Sequence, residues 1–160
     1  MQFDAAALGR DLARESAALR AFIALLREEQ QSLIHGALER LASFAEPKAK
    51  CLLELTQLGE LRLQVLRAHR QSADRSGMDR LLREHAHTAP PALAAAWQQV
   101  LALTADAHHL NDLNGTLIAT RLRGTQRALA ALFAAARIPG AYAADGSTVP
   151  FRTSHQLAVA

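Results

Sequence analysis

Cysteine occurs once in these 160 residues, at Cys51, so no disulfide can form within the chain and a reducing cytoplasm is the expected setting. Its place beside leucines reads as packing. No run approaches the roughly 18 uncharged apolar residues that crossing a bilayer requires, so no membrane insertion is expected. The opening residues, "MQFDAAALGRDLARES", carry Asp4, Arg10, Asp11, Arg14 and Glu15 and read as neither a signal peptide nor an anchor. There is no glycine-rich phosphate loop and no serine elbow. "EHAH" supplies Glu84-x-x-His87 once, where a di-metal bundle needs the motif twice, and His108 with Asp112 lacks a third ligand. No metal, no cofactor and no catalysis are therefore expected. Charge is low too: +3, with a pI near 9.7. The two arginine clusters, 121–127 and 67–83, read as solvated faces, the second interrupted by Asp74 and Asp79, so nucleic acid is not an expected partner.

Aromatic residues make up only 4% of the chain, and alanine, leucine, arginine, glutamate and glutamine dominate. Most of these lose little rotamer freedom in a helix, and no strand pattern interrupts them. Apolar residues at three- and four-residue steps predict a first helix from Ala5 to Ile34, capped by Asp4 and striped by Leu8, Leu12, Leu19, Phe22, Ile23, Leu26 and Leu33. A second is predicted from Ala37 to Arg70 through Leu38, Leu41, Leu52, Leu55, Leu63 and Leu66, with Pro47 kinking or splitting it. "HRQSADRSG" reads as a polar linker and Met78–His87 as a short third helix. The fourth is predicted from Pro91 to Arg137. The expected fold is all-α, an elongated antiparallel bundle of three long helices plus one short helix. Residues 1–137 form the bundle in this reading, and 138–160, with two prolines and two glycines, form a flexible C-terminal tail.

One stretch resists the simple pattern. "NDLNGTLIATRLRG", residues 111–124, puts amides, a glycine and an arginine at the centre of the fourth helix. At 100° per residue the apolar stripe there runs Val100, Leu103, Ala107, Leu110, Asn114, Leu117 and Arg121, so Asn114 and Arg121 fall on the buried face and Asn111 at its margin. Asparagine is no general acid or base. A structural polar core of Asn111, Asn114, Gly115, Arg121 and Glu29 is expected, fixing helix register at some cost in stability. Gly115 would allow a close backbone approach, and Glu29 would give Arg121 its anion if the first and fourth helices run parallel.

"NDLNGTLIATRLRGTQRALAALF" followed by "YAADG" at 142–146 resembles the signature of the FlgN family of flagellar type III export chaperones, and "LLREEQQSLIHGALERLASFAEPKAKCLLEL" resembles its earlier part. The resemblance implies a cytoplasmic chaperone that holds the C-terminal helical segment of the hook-filament junction proteins FlgK and FlgL unpolymerised and delivers them for export. It also implies that Tyr142 docks to the export gate FlhA. The expected client surface is the end of the fourth helix, Leu129, Leu132 and Phe133, with Tyr142, Val149 and Phe151 of the tail. A helical scaffold that oligomerises through its stripes is the reading from another class, and a homodimer fits either.

Overall fold

Asp4 starts the first helix by accepting the backbone N–H of Ala7 on Oδ1 at 2.8 Å, so α1 spans Ala5–His35. Gly36 ends it in the left-handed conformation (φ 76°), which lets the Ala37 N–H reach the Ser32 carbonyl at 3.0 Å. The computed structural model describes residues 3–135. After α1 come a 3-10 helix over Leu38–Phe44, α2 over Ala45–Ala68, α3 over Arg75–Glu84 and α4 over Pro91–Ala135. No strand occurs among the described residues, and the fold is all-α.

Two expected helix starts move, each for a local reason. The second helix does not begin at Ala37 and bend at Pro47. The break comes earlier, as the 3-10 helix, and Pro47 is the third residue of α2. Its missing N–H there is one the first turn could not have bonded anyway, so the proline costs nothing. The third helix starts three residues before its predicted Met78, because Asp74 Oδ1 accepts from the Gly77 N–H at 2.9 Å and from the hydroxyls of Ser72 and Ser76. These donors, the backbone amide foremost, lower the Asp74 carboxyl to about pKa 2. Gly77 is required in that turn: a Cβ would meet the Ser72 carbonyl oxygen at 1.9 Å.

The chain divides into two compact units, Met1–Gly115 and Thr116–Ala160, with the boundary inside α4. In the first, α1 supplies Leu8, Leu12, Leu19, Phe22, Ile23 and Leu26 to one core; Leu66 of α2, Met78 and Leu81 of α3, and Leu93, Trp97, Val100 and Ala107 of α4 complete it. Burying each such side chain contributes roughly 1.5–3 kcal/mol. The Trp97 indole N–H donates to Asp79 at 2.8 Å, fastening α3 to the start of α4. In the second unit, the described part is the end of α4, residues 116–135.

Candidate functional site

The stripe of α1 has two places where a leucine would continue it and an acid stands instead. Leu8, Leu12, Glu15, Leu19, Phe22, Leu26, Glu29 and Leu33 follow each other at alternating four- and three-residue steps, and all are buried. Each acid has its cation on α2. Arg62 donates to both oxygens of Glu15. Lys48 Nζ donates to both oxygens of Glu29 at 2.9 Å. The acids lie two heptads apart on α1 and the cations two heptads apart on α2, so both pairs describe one antiparallel register. A slip of either helix would strand two carboxylates in an apolar core, and leaving a buried charge unpaired costs about 3–5 kcal/mol.

α4 joins this arrangement through Asn114. Its Nδ2 donates to the Leu26 carbonyl at 2.8 Å and to Glu29 Oε2 at 2.9 Å, with the side chain 2% exposed. Up to Gly115, α4 therefore runs parallel to α1, with Leu93 beside Gly9 and Asn114 beside Leu26. Lys48 supplies a cation to Glu29, and Arg121 is half-buried and falls in the second unit. Asn111 and Gly115 are corrected as members of a polar core: both are exposed, and a Cβ on Gly115 would meet open space. Gly115 thus serves no close approach.

A groove of about 340 Å³ opens beside the Glu15–Arg62 pair. Its apolar lining is Leu19 and Phe22 of α1, Leu52 and Leu55 of α2 and Ala107 of α4, with His108 and Asn111 among the polar groups. Arg62 also lies 5.4 Å above the Trp97 ring, which holds its guanidinium in place. No nucleophile and base are set against each other in this groove.

The end of α4 differs. None of residues 116–135 is buried. Ile118, Leu122, Leu129 and Leu132 are 44%, 58%, 44% and 66% exposed and follow one another at four-, seven- and three-residue steps. Phe133 is half-buried. At 100° per residue Leu132 continues the stripe of Val100 through Leu117, and Ile118, Leu122 and Leu129 fall to one side of it. Tyr142, Val149 and Phe151 lie outside the described residues.

Several contacts escaped the sequence reading. Glu15 carried a signal, an acid at a core position of a regular stripe; Arg62 and Lys48 carried none. Leu38 and Leu52, expected in the second helix's stripe, are both 49% exposed, whereas Leu58, unassigned, is buried. His69, the first residue of the stretch read as a polar linker, packs with Phe3 and His85, its ring 5.5 Å from the first and 5.6 Å from the second. Among the described residues, no helix is long and apolar enough to cross a membrane. Compared with known families, the chain is matched over residues 1–150 by the family model described as FlgN protein. No match is found among curated proteins or among solved structures.

Proposed function

We propose, from the premise that this chain belongs to the FlgN family and is a flagellar export chaperone, that its clients are the hook-filament junction proteins FlgK and FlgL. In this reading it works in the cytoplasm, covers the C-terminal helical segment of its client, keeps it from assembling early, and hands it to the export apparatus. Leu129, Leu132 and Phe133, continued by Tyr142, Val149 and Phe151, form the client surface, and Tyr142 also docks to the export gate FlhA.

The observation that carries the reading is the run Ile118, Leu122, Leu129 and Leu132, exposed along a helix that fully buries no side chain over its last twenty residues. Leucines at heptad-like steps suit the apolar face of one incoming amphipathic helix. Binding of that kind needs no nucleotide, metal or catalytic group. The same run would also mate with a second copy of the chain, which is the scaffold reading.

Hydrogen exchange with and without the C-terminal segment of FlgK or FlgL separates these. The proposal expects a one-to-one complex with new protection in residues 116–160. Protection confined to residues before 90, or a dimer that neither segment dissociates, overturns it. Tyr142→Ala is expected to weaken the hold on the client and to lose FlhA's cytoplasmic domain; unchanged binding to both removes the docking role.

A further inference from the structure

Two helices of this chain end with a backbone N–H reaching back five residues, Ala37 to Ser32 and Gln71 to Leu66, with different residues at the tight point. At the end of α1 the left-handed residue is Gly36. At the end of α2 the Gln71 N–H bonds the Leu66 carbonyl at 2.9 Å and the Arg70 N–H bonds the Arg67 carbonyl at 3.0 Å, and the left-handed residue is Arg70, with φ 55°. A side chain crowds its own backbone in that conformation, which is why glycine is the usual occupant. The chain therefore keeps an arginine where the fold favours none.

Arg70 belongs to a corner built by the last turn of α2, the connection to α3, and α3 itself. The His69 and His85 rings, 5.6 Å apart, and a 2.9 Å bond from Gln71 Nε2 to Glu84 Oε2 hold the two helix ends side by side. Arg67, Arg70, Arg80 and Arg83 are exposed around it, and none makes an ion pair with another described residue. The nearby acids are already engaged. Asp74 caps α3, Asp79 accepts the Trp97 indole and pairs with Arg75 at 3.7 Å, and Glu84 accepts from Gln71. The corner is cationic, and its own carboxylates do not neutralise it.

We propose that this corner is a docking surface for an acidic segment of a protein partner, gripped by Arg67, Arg70, Arg80 and Arg83. Guanidinium groups match carboxylates in two-pronged pairs, and four of them on a rigid corner favour a segment with several Asp or Glu. A polypeptide fits better than nucleic acid because Asp74, Asp79 and Glu84 stand among the arginines. Spaced carboxylates can pass between them, while a continuous phosphate backbone would meet their charge. The surface shares no residue with the client face, so the two stand or fall separately.

The test is fluorescence anisotropy of the full chain with a labelled peptide of alternating glutamate and serine, in low and physiological salt. The triple variant Arg67→Gln, Arg70→Gly, Arg83→Gln is expected to bind about tenfold more weakly or worse. A control with equal charge loss on the exposed side of α1, Arg14→Gln, Arg20→Gln, Arg27→Gln, should change affinity less than about twofold. Arg70→Gly alone should weaken binding while its melting temperature holds or rises by about 1–4 °C. Equal losses in the triple variant and the control overturn the proposal, as does tighter capture of a DNA oligonucleotide or of phosphatidylserine vesicles at the same salt. So does a lower melting temperature for Arg70→Gly, which would make Arg70 a structural tether.

Discussion

The two halves of α4 are built from the same alanine- and leucine-rich material and have opposite fates. From Pro91 to Gly115 the helix buries Leu93, Trp97, Val100, Ala107 and Asn114; from Thr116 to Ala135 it fully buries no side chain, and Leu122 and Leu132 are more than half exposed. Propensity does not separate them, since both are good helix formers. The first half has Leu8 to Leu26 of α1 and the short α3 to pack against. A periodic apolar stripe therefore states which face of a helix is greasy and leaves open what covers it.

The sharpest way to break the comparison is to attack the covered half. Trp97 is 4% exposed, touches the core, donates to Asp79 and underlies Arg62. Trp97→Ala should lower stability by about 3–5 kcal/mol in urea denaturation. A loss below about 1 kcal/mol would mean that the first half is no better packed than the second. Asn114→Ala comes next. It removes two donated bonds from inside the unit and leaves the Leu26 carbonyl unbonded by its side chain, so a cost of about 1–3 kcal/mol is expected. Asn114→Leu tests the register role: if the amide only fills space, the leucine variant is as stable as the parent and keeps the same α1–α4 pairing by cross-linking.

A smaller effect comes from acid. Asp74 ionises near pKa 2 when folded, below its ordinary 3.8, so its contribution is whole above the unfolded value and is lost as pH falls through about 2. The amides of α3 should accordingly keep their exchange protection at pH 3.5 in the parent and lose part of it in Asp74→Ala. Equal protection in both proteins would show that the cap contributes nothing to the end of the bundle that holds Trp97.

The legible part of this fold was the part governed by local rules. Asp4 and Gly36 bound the first helix as side-chain capping and left-handed freedom require, and Asn114 fell on the buried face by spacing alone. Partner identity was not local. Glu29 announced a buried acid, yet nothing near it in sequence names Lys48, which reaches it only because α2 returns antiparallel at a register that Glu15 and Arg62 also satisfy. Gly115 misled because a glycine in a helix signals either close approach or indifference, and here the space beside it is open. Pro47 misled by position: one turn later it would have kinked the helix, and three residues in it is harmless.

The least costly substitutions lie in the uncovered half, and they carry the most about function. Leu129→Ser and Leu132→Ser remove apolar surface that the fold leaves in water, so each should shift stability by no more than about 0.5 kcal/mol. An incoming helix would bury those same side chains, and losing one such anchor typically costs about 1–2 kcal/mol of binding, roughly a tenfold weaker hold on the C-terminal segment of FlgK or FlgL. The double variant should keep the parent's melting curve and lose most of its client in co-purification. If it instead melts earlier, the last turns of α4 are packed and the contrast between its halves is false; if it melts as the parent does and keeps its client, the exposed leucines are idle and the binding surface lies elsewhere.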